Sequence, residues 1–444
     1  MSALRAESVY KVFGRRSQEA VRRLRDGATR DEVKPLGTAA VIDATFDVKP
    51  GETFVVMGLS GSGKSTLIRM LNGLLTPTAG RVLIDDQSIT DVSPAELRKI
   101  RQEKISMVFQ HFALLPHRTV RDNVAYPLEI RGMGKAERMQ KAEESIAMTG
   151  LAGWEDSLPS QLSGGMRQRV GLARALAADT DILLMDEAFS ALDPLIRRDM
   201  QEQLVELQAK LGKTIIFITH DLNEAMFLGD RIAVMRDGRI VQTDTAEQIL
   251  AHPADEYVAK FIADVDRSRV ITAEAVMRRP ISVVQLGGGP GVALRELQDT
   301  QGTAAYVVDR RRVLQGTVYD TDLVTAQRRG DRTLEQVVRP DNSAVSPDTP
   351  MSEMFAPAAE AALPIAVTDE EGRLVGVVPR VKLLEAMVPP ESPDSAASPD
   401  PAATQSADAA PAPPGTDQAA AAGGNEALSS SPVPDESPVE GENR

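Results

Sequence analysis

The feature that most constrains the fold of this chain is a glycine-rich stretch, GLSGSGKSTL, at residues 58–67. The apolar run ETFVVM precedes it and is typical of a buried strand, whereas the following stretch LIRMLNGLL has the pattern of a helix. Glycines allow the backbone between the strand and the helix to wrap closely around an anion, and the helix N-terminus adds partial positive charge. The sequence therefore predicts a strand–loop–helix unit that binds phosphate groups.

Within this loop, Gly58, Gly63, Lys64 and Ser65 have the spacing G-x-x-x-x-G-K-S, which binds nucleotide phosphates. We expect the Lys64 ammonium to reach the β- and γ-phosphates of ATP and the Ser65 hydroxyl to be a ligand of Mg²⁺. The alternative is a glycine-rich turn with an accidental lysine, which does not explain the strand and helix on either side. The predicted nucleotide-binding residues of the loop are Gly58, Leu59, Ser60, Gly61, Ser62, Gly63, Lys64, Ser65 and Thr66.

An apolar run that ends in two acidic residues, DILLMDE, lies at residues 181–187. A carboxylate at the end of a strand is the second requirement of a phosphate-loop site, and we expect Asp186 to hold Mg²⁺ directly or through water. The next residue, Glu187, is placed to act as a base toward the water that attacks the γ-phosphate, or to orient that water. The alternative is a strand that ends in ordinary solvated acids, and the glycine-rich loop upstream favours the metal-binding interpretation.

The length of 444 residues exceeds that of one ordinary hydrophobic core, which predicts two or more domains. The chain has no cysteine, so it has no disulfide and no cysteine-ligated metal site. Its start lacks the apolar segment of a secretory signal, and no stretch approaches the ~20 consecutive apolar residues that span a bilayer. We therefore expect a soluble, cytoplasmic protein that needs a partner to attach to a membrane. The net charge of −14 argues against a nucleic-acid partner.

The composition divides the chain into three parts. Residues 1–265 alternate short Val/Ile-rich runs with helical patterns, which predicts an α/β domain with a mainly parallel sheet. Residues 268–388 contain a weak repeat, in which 304–326 resembles 362–387. Each copy has the pattern strand, turn, strand, helix, which predicts two small α+β units with a shared core. The remaining part, 389–444, is rich in Pro, Ala, Ser and acidic residues and is predicted to be disordered.

Another glycine-rich helix start, LSGGMRQRVGLARAL, lies at residues 162–176 and predicts a second anion-binding helix terminus. One nucleotide needs only one phosphate loop, so this second anion-binding helix terminus requires another explanation. The order of motifs, from GLSGSGKST through LSGGM, ILLMDE and SALD to ITHD, resembles the ATP-binding subunit of an ABC transporter over residues 6–265. The resemblance implies a phosphate-loop NTPase fold with a helical subdomain at about 108–175, and ATP hydrolysis as the activity.

By this resemblance, a second copy of the chain is the first partner, because two such ATPase domains pair head to tail. Ser163, Gly164 and Gly165 of one copy are then expected to face the γ-phosphate held by the phosphate loop of the other copy. Asp193, in the SALD turn, matches an aspartate of the family that faces the dimer interface. The second anion-binding helix start would thus serve the nucleotide of the partner.

The resemblance also implies roles for residues inside each site. Gln110, which follows SMVF, has the position of a glutamine that senses Mg²⁺ and the γ-phosphate, and it is also a candidate metal ligand. His220, in FITHD, matches a switch histidine that contacts the γ-phosphate. Phe13 is the candidate for the aromatic ring that stacks on adenine, with Tyr10 as the rival and packing in the core as the alternative role.

Several stretches narrow the resemblance to the ATPase of glycine betaine/proline-type osmoprotectant importers. They include FQHFALLPHRTVRDNVAYPLEI and a basic, helix-patterned segment at 14–37, to which we assign no role. The resemblance implies a place at the cytoplasmic face of the cell membrane, bound to an integral membrane permease. A periplasmic or lipid-anchored solute-binding protein would be an indirect partner. The imported solute stays open among betaine, proline, choline and carnitine.

The repeat resembles tandem CBS modules, at about 268–330 and 334–388, which follow the ATPase in this subfamily. CBS modules that bind adenosine carry a Ser or Thr where this chain has Tyr319. The second copy has Pro379 at that position and Lys382 in place of the family aspartate. This departure puts nucleotide binding in doubt. Sensing of ionic strength through basic runs such as DRRRV, whose attraction to anions weakens as salt rises, and simple dimerisation are the open alternatives.

Two further expectations concern partners. The segment 111–130 has more apolar residues than a solvated loop needs, so we expect it to dock the permease, with Leu115 and Val120 as accessible contact points. The rival functional class is a soluble ABC ATPase of translation or DNA repair. The single phosphate loop and the lack of a long coiled-coil insertion favour the transporter.

Overall fold

The structure is a computed structural model that describes residues 2–110, 112–263, 265–340, 343–361 and 363–387. The segment 389–444 lies outside the described residues, so its disorder stays a prediction.

The strands, in chain order, are β1 (Leu4–Phe13), β2 (Thr38–Val48), β3 (Thr53–Met57), β4 (Ala79–Ile84), β5 (Gln87–Ser88), β6 (Ile105–Val108), β7 (Ile182–Asp186), β8 (Thr214–Thr219), β9 (Arg231–Arg236), β10 (Arg239–Asp244), β11 (Val283–Gln285), β12 (Ala304–Val308), β13 (Leu314–Tyr319), β14 (Ile365–Thr368) and β15 (Leu374–Val378). The α-helices are α1 (Ser17–Arg25), α2 (Lys64–Leu71), α3 (Pro94–Lys104), α4 (Val120–Ile130), α5 (Lys135–Met148), α6 (Gly164–Ala177), α7 (Pro194–Leu211), α8 (Leu222–Leu228), α9 (Ala246–Ala251), α10 (Glu256–Phe261), α11 (Arg267–Val270), α12 (Ala273–Val276), α13 (Pro290–Asp299), α14 (Asp320–Arg329), α15 (Met351–Glu360) and α16 (Arg380–Met387). In the described parts of the chain, no helix combines the length and the apolar character needed to cross a membrane.

The central sheet confirms the predicted, mainly parallel α/β fold. Its six strands have the order β10-β9-β3-β8-β7-β6, and all neighbours are parallel except β9 and β10. The strands β3, β7 and β8 are buried along their whole length, which explains their continuous apolar runs. Because they are parallel neighbours, their carboxyl ends meet at one edge, where Met57 pairs with Thr219 and Asp186 pairs with Ile218. The phosphate loop follows β3, and His220 follows β8. Of the two predicted acids, Asp186 ends β7 and Glu187 is the next residue.

The first strand belongs to a separate antiparallel sheet, in the order β2-β1-β4-β5, rather than to the central sheet. The segment 14–37 joins β1 to β2, and the helix predicted within it is α1. This segment packs with both strands around a small core of its own, formed by Tyr10, Val12, Ala20, Val21, Leu24, Val33, Leu36, Ala39 and Ile42. The arginines of α1 are exposed, so the segment is a packed extension of this sheet with a basic outer surface.

Between β6 and β7 the chain forms the predicted helical subdomain from α4, α5 and α6, with a short 3₁₀ helix at Pro159–Gln161. Thr119 caps α4 and Ser163 caps α6, since each hydroxyl accepts a backbone N–H of the first turn, at 3.2 and 3.3 Å. Such a cap stabilises a helix start by about 1 kcal/mol. The three helices pack around a core that includes Val124, Ile146 and Val170 and is separate from that of the sheet.

The C-terminal part confirms the predicted repeat. The hairpins β12–β13 and β14–β15 have corresponding registers, because Val307 lies opposite Gly316 and Val367 lies opposite Gly376. Each hairpin is followed by a helix, α14 or α16. The two copies share a core that contains Tyr306, Val308, Ala366, Leu374 and Val377.

The turns of these two hairpins lie side by side. The N–H of Leu314 donates to the carbonyl of Gly372, and the N–H of Leu374 donates to the carbonyl of Arg312, at 2.9 Å each. The three arginines of the run DRRRV therefore lie beside three acidic residues, 369–371, of the second turn. The surface formed by the two turns therefore carries both the basic residues of this run and the acidic residues 369–371.

One hydrophobic core extends from the central sheet into the second copy of the repeat. It joins β8 and α8 to Ile271 and to Met354 of α15. Arg267 of α11 adds a polar link, since its guanidinium donates to the carbonyls of Leu250 in α9 and Ala386 in α16, at 3.2 Å each. The ATPase part and the repeat are thus packed directly against each other.

Candidate active site

The phosphate loop connects β3 to α2, and its backbone requires glycine at two positions. Gly58 and Gly63 have φ values of +153° and +105°, which residues with a side chain disfavour. A Cβ atom at Gly58 would lie 2.2 Å from the carbonyl oxygen of Met235, and one at Gly63 would lie 2.2 Å from that of Ala40. The loop therefore lies directly against neighbouring backbone, and a larger residue at either position would displace it.

Lys64, the first residue of α2, is buried and folds back over the loop. Its ammonium group donates hydrogen bonds to the carbonyl oxygens of Gly58 at 2.7 Å and Leu59 at 3.1 Å. Burial lowers the pKa of Lys64, whereas the nearby carboxylates of Glu187 and Asp186 act in the opposite direction. A desolvated cation near two acids at the strand ends is suited to bind a phosphate chain.

Asp186 ends β7 with a buried carboxyl group, and burial raises its pKa. The Ser65 hydroxyl hydrogen-bonds to this group, while the Oδ1 atom of Asp186 is buried without a partner in the described structure. An unpaired carboxylate oxygen beside a hydroxyl group fits a hard cation such as Mg²⁺. Among the described residues, no three His, Cys, Asp or Glu side chains cluster as a metal site. Most ligands of such a cation would therefore be water and phosphate oxygens.

Three predicted catalytic residues meet at Glu187. Its Oε2 atom lies 3.2 Å from Nε2 of Gln110 and 3.1 Å from Nδ1 of His220. Glu187 has a φ of +46°, a strained value for a residue with a side chain, and its N–H donates to the carbonyl of Ile218 at 2.9 Å. This turn places the carboxylate between Gln110 and His220, directly after Asp186. The arrangement suits a carboxylate that holds and deprotonates a water molecule.

Of the residues predicted to face a second copy, Ser163 and Asp193 lie on the surface, whereas Gly165 is buried. The Ser163 hydroxyl caps α6 by accepting the N–H of Met166 at 3.3 Å, and the Asp193 carboxylate caps α7 by accepting the N–H of Ile196 at 3.1 Å. Both capping side chains are exposed, and so is Leu195 beside Asp193. The two glycines after Ser163 open α6. Within one chain, these residues lie at helix starts, whereas Gln110 and His220 contact Glu187.

The two candidates for adenine stacking have opposite surroundings. Tyr10 is only 4% exposed because its ring lies in the core under α1, and burial raises the pKa of Tyr10. Phe13 is 45% exposed, and the Lys11 ammonium lies 5.2 Å from the centre of its ring. Only Phe13 of the two presents a ring face that a nucleotide base can reach.

Arg174 of α6 is a functional candidate that the motifs did not indicate. Its guanidinium donates to the carbonyl oxygens of Ala113 at 2.6 Å and Phe112 at 2.9 Å, in the loop that follows Gln110. Phe112 and Ala113 have φ values of 54° and 48°, so this loop keeps an unfavourable backbone conformation. Arg174 stabilises that conformation from the helical subdomain. The available signal was a lone arginine in the apolar stretch GLARALA.

Some of the apolar residues of the segment 111–130 are core residues, whereas others, such as Ile130, are exposed. Val120, Val124 and Ala125 pack in the core of the helical subdomain, and Leu128 is also buried. The expectation that Val120 is accessible is therefore wrong, because its side chain is 0% exposed. Leu115 is half-buried, and its N–H donates to the side-chain carbonyl of Asn123 at 2.7 Å, which fixes the loop. The apolar residues of this segment thus serve the packing of α4 in part, and docking of the permease stays a prediction.

In the first copy of the repeat, one arginine contacts both Tyr319, which departs from the adenosine-binding pattern, and Asp322, which keeps it. Arg339 forms an ion pair with Asp322 at 2.7 Å, and its guanidinium lies 4.8 Å from the ring centre of Tyr319. A Cβ at Gly316 would lie 2.1 Å from the Arg339 carbonyl oxygen, so the backbones are also in direct contact. These contacts support the doubt about nucleotide binding at this position.

Comparisons with known proteins agree with this site. A family model described as ABC transporter matches residues 41–190, and one described as CBS domain matches residues 334–389. The chain is 50% identical over 386 residues to the glycine betaine transport ATP-binding protein OpuAA of Bacillus subtilis, covering 86% of this chain and 92% of that protein. It is 50% identical over 389 residues to the glycine betaine/carnitine transport ATP-binding protein GbuA of Listeria monocytogenes, covering 87% of this chain and 98% of that protein.

A third relative is the glycine betaine/proline betaine transport system ATP-binding protein ProV of Escherichia coli. It is 46% identical over 391 residues, which cover 86% of this chain and 97% of that protein. All three alignments span nearly the full length of the relative, so they include the repeat as well as the ATPase part. The chain therefore belongs to the glycine betaine-type family of ABC transporter ATP-binding proteins, which are ATPases coupled to transport and carry a C-terminal CBS domain.

Proposed function

We propose that the chain hydrolyses ATP to drive the import of glycine betaine or a related quaternary amine through a separate membrane permease. The names of the relatives, which include glycine betaine, carnitine and proline betaine, support this solute class. The observation that carries the ATPase assignment is the contact of Gln110 and His220 with Glu187 beside the phosphate loop. The chain would act at the cytoplasmic face of the membrane, and the permease and a solute-binding protein would choose the solute.

In the proposed site, each residue has a separate task. The loop backbone and Lys64 would bind the phosphates, and Ser65 and Asp186 would hold Mg²⁺, whose positive charge would stabilise the negative charge of the phosphates. The Glu187 carboxylate takes the proton of the attacking water or orients that water, while its two side-chain neighbours keep it in place. The exposed ring of Phe13 stacks on adenine. The short loop after β3 would thus orient the nucleotide, and the turn after β7 would activate the attacking water.

A second copy of the chain completes each site in this proposal. The support is the exposed start of α6, where Ser163 and two glycines present backbone N–H groups and the positive end of a helix. The start of α7, with the exposed side chains of Asp193 and Leu195, lies next to the start of α6. The two helices are in close contact there, because a Cβ at Gly165 would lie 2.6 Å from the Ile196 side chain of α7. One face of the chain therefore offers an anion-binding helix start to the nucleotide of another copy.

Ser163→Arg tests the shared site. We expect ATP affinity to change by less than about twofold, because the phosphate loop of the same chain is untouched. Hydrolysis should fall about 100-fold, since a bulky side chain at the start of α6 misplaces the partner against the nucleotide. The exposed Ser160, on the neighbouring 3₁₀ helix, provides the control Ser160→Arg, which should hydrolyse ATP normally. Normal hydrolysis by Ser163→Arg at every protein concentration would contradict the shared site.

The transport function is tested in liposomes that contain the chain, the permease from its gene neighbourhood and a solute-binding protein. We expect ATP hydrolysis to rise when glycine betaine or one of its analogues is supplied, and to stay basal with an unrelated amino acid. A rate of ATP hydrolysis that is the same with and without every solute would contradict the substrate proposal but leave the ATPase assignment intact. A chain that hydrolyses ATP without binding any permease would instead favour the soluble ABC ATPase class.

The CBS part is proposed to regulate the ATPase. Its support is the core that α15 shares with β8 and α8, since a shift of the second module would reach the central sheet through packed side chains. A salt titration in the same liposomes tests whether ionic strength is the signal. The basic turn lies beside the turn with residues 369–371, in which Asp369 and Glu371 form ion pairs with Arg373, so we do not expect arginines 310–312 to act as an isolated lipid-binding patch. Salt activation that survives Arg310→Ala, Arg311→Ala and Arg312→Ala together would agree with this.

A further inference from the structure

The turn that carries Asp193 and the turn that carries His220 are joined by one side chain outside both motifs. Arg197 lies one helical turn into α7, whose N-cap is Asp193. Its guanidinium donates to the carbonyl of Leu192 at 3.2 Å and to the carboxylate of Asp221 at 3.0 Å. Leu192 directly precedes Asp193, and Asp221 directly follows His220. A single guanidinium therefore holds both turns.

A buried carboxylate, Glu224 of α8, lies behind this contact. The Thr219 hydroxyl donates to its Oε2 atom at 2.5 Å, and the Gln201 amide donates to its Oε1 atom at 3.1 Å. The Nε atom of Arg197 is 3.9 Å from Oε1 and, within the described structure, is buried without a hydrogen-bond partner. Arg197 thus supplies the positive charge that faces Glu224, whose side chain is only 3% exposed.

The same network fixes the backbone on both sides of His220. The Oδ1 atom of Asp221 accepts two N–H groups at the start of α8, at 2.9 and 3.3 Å. The N–H of Asp221 in turn donates to the hydroxyl of Thr219 at 2.9 Å. His220 lies between these two residues, and its imidazole remains 53% exposed while it contacts Glu187. The network therefore fixes the backbone on both sides of His220 and leaves the imidazole exposed.

We propose that Arg197 is a positioning residue that locks the Asp193 turn to the His220 turn, so that contact of Asp193 with a second copy sets the place of the His220 imidazole. The inference rests on the proposed function, in which Asp193 faces the partner and His220 faces the γ-phosphate. It adds a physical connection between the dimer interface and the reacting groups. An arginine suits this task because the N–H groups of its planar guanidinium point in fixed, different directions and can bind several acceptors at once. The ammonium group of a lysine lacks this fixed geometry.

Burial makes this connection stiff. Burial raises the pKa of Glu224, and the Thr219 hydroxyl and the Arg197 guanidinium counteract it. Breaking a buried pair by removing one partner is strongly unfavourable, because the other charge is left without compensation. The two turns are thus expected to move as one unit rather than independently.

The test compares Arg197→Met with Arg198→Met in the full chain. Arg198 is the next residue of α7, but it is 55% exposed and pairs with Glu202 at 2.9 Å, so it provides the same exchange outside the network. We expect Arg197→Met to lower kcat about tenfold or more with ATP affinity within about twofold. Arg198→Met should change neither value, and Arg197→Lys should recover only part of kcat. A wild-type kcat for Arg197→Met would overturn the proposal.

A double variant separates positioning from a general loss of structure. If Arg197 acts through His220, Arg197→Met should add little to the loss caused by His220→Ala, because coupled residues are not additive. Fully additive losses would overturn the proposal. If Arg197→Met does not fold, as judged by its thermal unfolding, the double variant Arg197→Met/Glu224→Gln takes its place. It also removes the buried charge that Arg197→Met leaves without compensation, and it still breaks the contacts with Leu192 and Asp221. A His220→Ala chain with normal turnover would contradict the proposed function itself, which is a separate result.

Discussion

Replacing Glu187 with glutamine is expected to leave ATP binding nearly unchanged and to lower ATP turnover by about 100-fold or more. The amide keeps the size of the carboxylate and can still hydrogen-bond to Gln110, but it cannot accept a proton from water. The measurement is kcat for phosphate release, together with ATP affinity from calorimetry. Because the nucleotide binds without being hydrolysed, the ATP-bound dimer should persist and be visible in size-exclusion chromatography with ATP.

The matched control for this exchange is Glu202→Gln. Glu202 lies on the exposed side of α7, where it pairs with Arg198. Its loss should alter turnover by less than about twofold. A Glu187→Gln chain that turns over within a few-fold of wild type would remove Glu187 from the catalytic role. Its contacts with Gln110 and His220 would then be structural only.

Much of the ATPase fold was predictable because its signals are local. The runs TFVVM and ILLMD are buried along their whole length, so their apolar residues are consecutive and indicate central strands. The residues with chemical roles come directly after these strands. Sequence neighbours such as Asp186 and Glu187 therefore keep their places in space once the strands are parallel.

Other features were not predictable, because residues distant in the sequence decide them. Tyr10 and Phe13 lie on one strand, and α1 determines which of them is buried. The sequence of α4 does not show that Val120 is buried, because residues of α5 and α6 enclose it. The run DRRRV looked isolated until the second hairpin placed three acids beside it. Arg197 belongs to no motif and gains its role only from the turn at Asp221.

The proposed site joins two kinds of residue that respond differently to change. Lys64 and Asp186 are buried at the strand ends, so their environment is set by the sheet. Ser163 and Asp193 are exposed helix caps, so their environment changes when a second copy arrives. Nucleotide binding should therefore be a property of one chain, whereas hydrolysis should need two. The variants at Ser163 and Glu187 separate these two steps.

Replacing Lys64 with alanine is expected to lower ATP affinity by about 100-fold or more, because it removes charge-assisted hydrogen bonds to the phosphates. The melting temperature without nucleotide should change little. The alanine leaves the carbonyls of Gly58 and Leu59 without their present donor, but it also removes the desolvation cost of a buried ammonium. Calorimetry gives the affinity, and thermal unfolding with and without ATP gives the stabilisation by the ligand.

At an ATP concentration 100 times the wild-type Kd, the bound nucleotide should stabilise the wild-type chain by about 2.7 kcal/mol, and the Lys64→Ala chain by about 0.4 kcal/mol. The exposed Lys49 provides the control Lys49→Ala, which should keep the full stabilisation. An unchanged affinity in Lys64→Ala would place the nucleotide outside the loop. A lower melting temperature without ATP would instead mean that the loop itself is disturbed. Lys64→Met, which keeps the apolar length of the side chain and lacks only the charge, then decides between the two explanations.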